Sequence, residues 1–190
     1  MSGQQTTVSF TSAKGLPGQI ADLNDCLIVS AVATTTILPG TFVELTLAAD
    51  GETLIAKSPN SSAATLGLGG VAVYFPTSDP TVLPSLGSVS GITGTGYQVG
   101  DTVAVLRRGQ IFVSCDVATT AGTITAFSTN ANVQHPSSTA ASATNVNGNF
   151  TSVTANTTAG TETTAAPGCY FERVVASGLA LLTVNMPKTA

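Results

Sequence analysis

The apolar and polar positions of this chain follow the two-residue period of β-strands. Polar and apolar side chains alternate through residues 41–47, and the run ends near Asp50-Gly51, a dipeptide favoured in tight hairpins. We therefore predict a strand at 41–47, a turn, and a further strand that begins at Thr53. Residues 71–75 form a nearly continuous apolar run, as expected of a short strand buried on both faces.

The clearest hairpin pattern lies in the middle of the chain. Residues 102–106 and 110–115 are rich in β-branched side chains, and they flank Arg107-Arg108-Gly109. This arrangement predicts two strands joined at a corner, where the two arginines are solvated. Further strands are predicted at 26–33, 122–128, 169–175 and 179–186.

Helical signals are weak along the whole sequence. No segment shows a sustained apolar stripe of 3.6-residue period that starts at a cap and ends at a glycine. Because β-branched residues are common throughout, the sequence predicts an all-β protein built as a single β-barrel or sandwich-like domain. Closure of the strands would also leave no free sheet edge, and the chain has few lysines to keep a free edge from pairing with other chains.

The first part of the chain differs from this strand-rich body. Residues 1–25 are mostly polar, with one short β-like patch at 8–10. We predict that they form an extended N-terminal arm, and that residues 26–190 form the β-barrel-like domain.

A second region also differs in composition. Residues 135–167 are dominated by Ser, Thr, Ala, Asn and Gly, with few large apolar residues beyond Val146, Phe150 and Val153. Such a segment buries too little apolar surface to fold alone. The sequence therefore predicts a low-complexity insertion that projects from the domain.

Composition narrows the classes of function. Only 8% of the 190 residues are charged and 43% are apolar, whereas about a quarter of the residues in ordinary soluble domains are charged. Catalysis by acids and bases needs ionisable groups held together, yet the ten carboxylates, six Lys/Arg and one His are spread along the chain. The formal charge of −4 disfavours a nucleic-acid partner, since phosphate binding needs clustered basic residues. We expect a non-enzymatic protein of an assembly.

Individual motifs add little candidate chemistry. His135 has no carboxylate or nucleophile beside it, so it is interpreted as a solvated loop residue and not as a general base. Asp22 and Asp25 could form a weak calcium corner, although turn chemistry explains the pair more simply. We expect no catalytic residue, no metal and no cofactor.

The cysteines and the N-terminus bear on the compartment. The three cysteines lack the close-pair spacing of zinc sites and are interpreted as small buried thiols of a reducing compartment; they are Cys26, Cys115 and Cys169. The first 25 residues show no basic start followed by an apolar stretch, and no apolar run approaches the ~18 residues of a membrane helix. We expect a protein that is made in the cytoplasm and crosses no membrane by itself.

Five segments in a characteristic order resemble a known family. They are PGQIAD at 17–22, LGGVAV at 68–73, YQVGDTVAVLRRGQIFV at 97–113, GCYFE at 168–172, and the apolar run at 179–185. Together they resemble the capsid cement, or decoration, proteins of tailed bacteriophages. The resemblance implies a barrel-like protein with an N-terminal arm, bound to the outside of an icosahedral shell of HK97-type major capsid protein.

The resemblance also implies a function, and the composition of the arm supplies candidate contact residues. A virion protein that binds across capsomer junctions stabilises the closed shell, and association as a homo-oligomer, with a trimer favoured and a dimer possible, would strengthen its attachment. The candidate capsid-binding anchors are the apolar members of the arm: Val8, Phe10, Leu16, Pro17 and Ile20. The alternative for these residues is that they fold back onto their own domain.

Two other functions stay open at the level of sequence. A phage fibre domain that binds host glycan would share the low charge, but such sites usually use convergent aromatics, and the chain has no Trp and three Tyr. A hydrolase would need a nucleophile elbow such as Gly-x-Ser-x-Gly, which no segment supplies.

Overall fold

All regular elements of the described residues are β-strands. The computed structural model describes residues 15–59, 68–74, 96–116, 129–135, 148–151, 162–176 and 178–186. The strands are β1 (Ile20–Ala33), β2 (Phe42–Leu47), β3 (Leu54–Lys57), β4 (Gly69–Ala72), β5 (Thr102–Asp116), β6 (Thr129–His135), β7 (Phe150–Thr151), β8 (Glu162–Ala176) and β9 (Leu179–Asn185). The all-β prediction is confirmed. No helical segment of these residues has the length and apolar character needed to cross a membrane.

The strands form two circuits of hydrogen-bonded neighbours that share β5. One circuit runs β1-β3-β2-β4-β5 and returns to β1, and the other runs β5-β7-β6-β8-β9 and returns to β5. Closure of this kind pairs strand edges that would otherwise be free to recruit other chains. The architecture is therefore one mixed sheet of sandwich- or barrel-like form, in which β5 is common to both circuits.

The shared strand pairs with different neighbours along its length. On one edge, Leu106 pairs with Val71 of β4, and the residues from Arg108 to Ser114 pair with β9. On the other edge β5 pairs antiparallel with β1. A single strand of 15 residues thus belongs to both halves of the protein.

The predicted hairpin at Arg107-Arg108-Gly109 is wrong, because β5 runs straight through these residues. Two short strands joined by a glycine turn and one long strand containing a glycine have the same local pattern. Pairing with β9 on one side and β1 on the other keeps the chain extended here.

The buried apolar residues form two hydrophobic cores. The first core contains Ala31, Ala33, Ile37, Val43, Leu45, Ala56, Ala72, Val103 and Val105. The second contains Phe42, Val71, Val73, Leu106, Ile111, Val113, Cys115, Ala131, Val133, Phe150, Ala166, Cys169, Phe171, Ala180, Leu182, Val184 and Met186. Alternate residues of β5 enter both cores, which fixes the two halves to one another.

The prediction that residues 135–167 project as an insertion is wrong for 148–151 and 162–167. Phe150 is fully buried and meets the ring of Phe42 edge-on, with 6.3 Å between ring centroids. The Gly148 carbonyl accepts a hydrogen bond from the Phe42 N–H at 2.8 Å. One phenylalanine in a polar stretch is enough to bring this segment into the core, because a buried aromatic ring removes a large apolar area from water.

Most of the other predicted strands are confirmed, with shifted ends. The predicted hairpin at Asp50-Gly51 joins β2 to β3, and Asp50 accepts hydrogen bonds from the N–H groups of Glu52 and Thr53. The strands predicted at 26–33 and 169–175 begin earlier, at Ile20 and Glu162. The strand predicted at 122–128 and Phe75 of the strand predicted at 71–75 lie outside the described residues. Strand β9 matches its predicted range to within one residue.

Replacing Phe150 tests whether this segment belongs to the core. Phe150→Ala should lower the free energy of unfolding by about 3–5 kcal/mol, because it leaves a cavity against Phe42. Urea unfolding followed by tyrosine fluorescence measures the change. Tyr170→Ala is the matched control, since Tyr170 is an aromatic residue of β8 that is 42% exposed, and it should cost under about 1 kcal/mol. Equal losses in the two variants would contradict the assignment.

Candidate functional site

The segment just before β1 is tied to the rest of the protein by main-chain hydrogen bonds. The N–H of Gly18 donates to the carbonyl of Phe112 at 2.7 Å, and the N–H of Phe112 donates to the carbonyl of Gln19 at 2.9 Å. The N–H of Tyr74 donates to the carbonyl of Gly18 at 2.7 Å. Residues 15–20, called the arm root below, are therefore attached both to β5 and to the chain that follows β4.

Two glycines allow the arm root to lie this close. A Cβ atom on Gly15 would overlap the ring of Phe112, and one on Gly18 would lie 2.6 Å from the main-chain nitrogen of Tyr74. Gly18 also has a φ of +83°, which disfavours other residues. The close contacts of the arm root with β5 and with the chain after β4 thus depend on residues without side chains.

The arm root contains three of the five predicted anchor residues. Leu16 and Pro17 are half-buried in it, and Ile20 opens β1, where it pairs with Ile111 and packs against the second core. Residues 20–25 therefore belong to a paired strand and not to the predicted arm. Val8 and Phe10 lie outside the described residues, and capsid anchoring by the five residues stays a prediction.

A wide bulge interrupts β1 directly after its start. Asp22 is opposite Gln110 and Leu27 is opposite Arg108, so the four residues between them face Gly109 alone. This segment, Leu23 to Cys26, is called the β1 bulge. Gly109 has a φ of +129°, and a Cβ atom there would lie 2.9 Å from the sulfur of Cys26. The glycine that sequence reasoning placed in a hairpin corner in fact accommodates the bulge.

Side chains hold the β1 bulge in one conformation. Asp22 Oδ1 accepts from the N–H of Asn24 at 2.8 Å, and the Cys26 thiol donates to the Asp22 carbonyl at 2.8 Å. The Arg108 guanidinium pairs with Asp25 Oδ1 at 2.5 Å, and Asp25 has the left-handed conformation at a φ of +61°. Asp22 therefore holds a turn and Asp25 forms an ion pair. Arg108 is not the solvated residue of a hairpin corner that was predicted.

The bulge and the residues after it present apolar side chains to solvent. Leu23 is 77% exposed, and Leu27 and Ile28 are also exposed. Within the described residues β3 joins β1 only at Val32 and Ala33, so the edge before these positions has no described strand beside it. Sequence reasoning missed this surface because a strand pattern suggested burial; the adjacent pair Leu27-Ile28, which breaks the alternation, is the signal that could have found it.

Charged and polar side chains elsewhere are used within the sheets. Glu44, which is buried, pairs with Lys57 across β2 and β3 at 3.3 Å. On the second circuit, Glu172 accepts hydrogen bonds from Gln110 and Thr183, which joins β8, β5 and β9. Among the residues that the structure describes, no group of three His, Cys, Asp or Glu is placed to hold a metal ion.

The three cysteines are free thiols in different surroundings. Cys115 and Cys169 are buried as predicted, and burial raises the pKa of Cys169 to about 12. Cys26 is only half-buried, and its pKa is raised by partial burial and then by the carboxylates of Asp22 and Asp25.

Comparison with known proteins identifies the family. A family profile described as "Structural cement protein (E217 gp24/Pam3 gp6)" matches residues 4–185, nearly the whole chain. The chain belongs to this family of phage structural cement proteins. The resemblance noted in the sequence is thereby confirmed, and this cement protein is a structural component of a bacteriophage capsid.

A solved structure shares the fold of this cement protein. A chain from "The capsid of Myoviridae Phage XM1" superimposes with a TM-score of 0.60 at 18% sequence identity, covering 97% of this chain and 98% of that one. At this identity the similarity establishes the fold. No curated protein sequence gives a significant match.

Substitution of Gly109 tests the contact between β5 and the β1 bulge. Gly109→Ala should lower the free energy of unfolding by about 2–4 kcal/mol. The new Cβ atom would strain the backbone at positive φ and would also clash with the sulfur of Cys26. Gly51→Ala is the matched control, since Gly51 has a φ of +71° and no atom within 4 Å of a Cβ built there. It should cost about 1 kcal/mol. Chemical denaturation of both variants gives the comparison, and equal costs would refute the clash.

Alkylation of the thiols tests the environment of the β1 bulge. A raised pKa keeps a thiol protonated, so at pH 8 iodoacetamide should modify Cys26 slowly and Cys169 only after unfolding. The Cys26 rate should rise with pH toward its raised pKa. Asp22→Asn removes one carboxylate and should speed the reaction by roughly twofold, as expected for a solvent-screened charge. Mass spectrometry of native protein locates each adduct; rapid modification of Cys169 would show that the second core is open.

Proposed function

We propose that this cement protein binds the outer surface of an icosahedral capsid of HK97-type major capsid protein, across the junctions between capsomers, and stabilises the closed shell. The observation that carries the proposal is the family match over residues 4–185. The attachment of the arm root to β5 supports it, because that attachment joins any contact made by residues 1–14 to the centre of the fold.

Stabilisation of the shell follows from linkage. A protein that binds the closed arrangement of subunits and not the opened one stabilises it by an amount that grows with the ratio of free concentration to Kd, about 2.7 kcal/mol per site at a hundredfold excess over Kd. Genome packed inside the shell favours separation of neighbouring capsomers. A bridge across the junction opposes that separation directly, and chemistry at a catalytic centre is not required.

The arm root is suited to carry force from the capsid into the body. The main-chain hydrogen bonds of Gly18 and Gln19 to Phe112, followed by the pairing of Ile20 with Ile111, continue along one edge of β5. A pull on the arm along this edge loads several hydrogen bonds together, since they lie side by side. Because β5 belongs to both circuits, the load reaches both cores.

Association of several copies strengthens the attachment. We propose a homotrimer, in which each arm lies on a different capsid subunit; contacts of about 4 kcal/mol, millimolar alone, then combine through effective concentration. The low charge fits such a role, because hydrogen bonds and apolar contacts depend little on salt. Synthesis in the host cytoplasm fits the three free thiols.

Truncation of the arm tests the proposed function. A chain lacking residues 1–14 keeps the arm root, so it should unfold at the same denaturant concentration as the full chain and decorate empty shells at least tenfold more weakly. Ile20→Ala is the paired variant: Ile20 packs against the second core, and the substitution should lower the free energy of unfolding by about 1–3 kcal/mol. Sedimentation with shells and urea unfolding separate the two effects.

Two binding results would contradict the proposed function. Full occupancy of shells by the truncated chain would remove the arm from the capsid contact. Depletion of the full chain by host cells and not by shells would favour the fibre-domain alternative. Shells that carry the full chain should also release their genome at a higher temperature than bare shells.

A further inference from the structure

Leu23 has the highest exposure among the large hydrophobic side chains of the described residues. Its 77% exposure compares with 63% for Leu47 and 39% for Leu27. A single exposed leucine on a loop needs no explanation. Leu23, however, lies in a bulge whose conformation several other residues fix.

The β1 bulge is held in a conformation that local preferences oppose. Asp25 is the one non-glycine residue with a positive φ in the described ranges, and such a conformation persists only where the surrounding structure compensates its cost. Arg108, 83 residues further along the chain, contacts both the side chain and the main-chain carbonyl of Asp25. Gly109 provides the space for Cys26 that the bulge requires. Bulges of this kind re-aim side chains near functional surfaces.

The β1 bulge lies next to the arm root. The β1 bulge follows the arm root along the chain, and both lie along the same edge of β5. We propose that Leu23 inserts into an apolar pocket with a basic rim on a capsid subunit, next to the place where the arm binds. This inference rests on the proposed capsid-binding function and assigns a second contact to it.

The size of the patch favours a capsid subunit over a second copy of this chain. A stable dimer buries about 800 Å² on each partner, which Leu23, Leu27 and Ile28 do not provide by themselves. The patch suits a contact that adds to one already made by the arm. A side chain whose backbone is already held in one conformation loses less entropy on binding than a mobile one.

The charges beside Leu23 agree with this choice. Asp22 is exposed, and its carboxylate accepts only the N–H of Asn24 among the described residues, while Asp25 is already paired with Arg108. A basic rim would complement Asp22. Two copies that met bulge to bulge would bring their Asp22 carboxylates together, and like charges at an interface are unfavourable.

Substitution of Leu23 in the full chain is the direct test. Binding of each variant to empty shells is measured by sedimentation, with the oligomeric state measured by analytical ultracentrifugation. Leu23→Asp should weaken binding roughly 10–100-fold, the affinity equivalent of burying one leucine side chain. Leu47→Asp is the matched control, because Leu47 is also exposed and lies at the end of β2; it should bind shells within twofold of the unmodified protein.

Two further measurements examine the rigid bulge without changing Leu23. Asp25→Gly removes both the strained residue and the ion pair, so the bulge gains freedom and binding should weaken several-fold while the fold persists. Alkylation of Cys26, which lies in the bulge, should slow when the protein is saturated with shells. Unchanged alkylation at saturation would place the bulge outside the contact.

The outcomes separate this inference from the proposed function. Failure of the unmodified chain to bind shells would refute the proposed function. Binding of the unmodified chain together with undiminished binding of Leu23→Asp would refute the Leu23 contact alone. A change of oligomeric state in Leu23→Asp, with shell affinity per oligomer unchanged, would assign the patch to contacts between copies and would overturn the capsid pocket.

Discussion

The pairing of β5 with neighbours on both of its edges is the constraint on which the rest of the structure depends. One strand closes two circuits and supplies inward side chains to two cores. Any break in this strand would open both halves, so the chain must stay extended from Thr102 to Asp116. Gly109 is tolerated inside the strand because the β1 bulge lies opposite it and fills the space that a side chain would occupy.

The low charge of the protein agrees with a structural role. Its interior is made of small and branched apolar residues, and its charged residues are few and partly used within the sheets, as in the pair of Glu44 and Lys57. Membership of the family of phage structural cement proteins agrees with a structural role.

Local patterns predicted those features that local interactions determine. Alternation identified β2, and Asp50-Gly51 identified a hairpin whose turn is held by the Asp50 side chain itself. Long-range pairing was not predictable in the same way. The ion pair of Arg108 with Asp25 joins residues 83 positions apart, and nothing in either segment alone distinguishes it from two solvated charges. Phe150 was misassigned because composition averages over a stretch in which one side chain decides burial.

A density map of the intact virion, at a resolution that shows side chains, tests the central claim most directly. The account predicts density for this fold on the outside of the shell at junctions between capsomers, with residues before Gly15 lying on a capsid subunit and the Leu23 side chain in a pocket. Density inside the shell, or a copy attached through the opposite face with the β1 bulge in solvent, would contradict it.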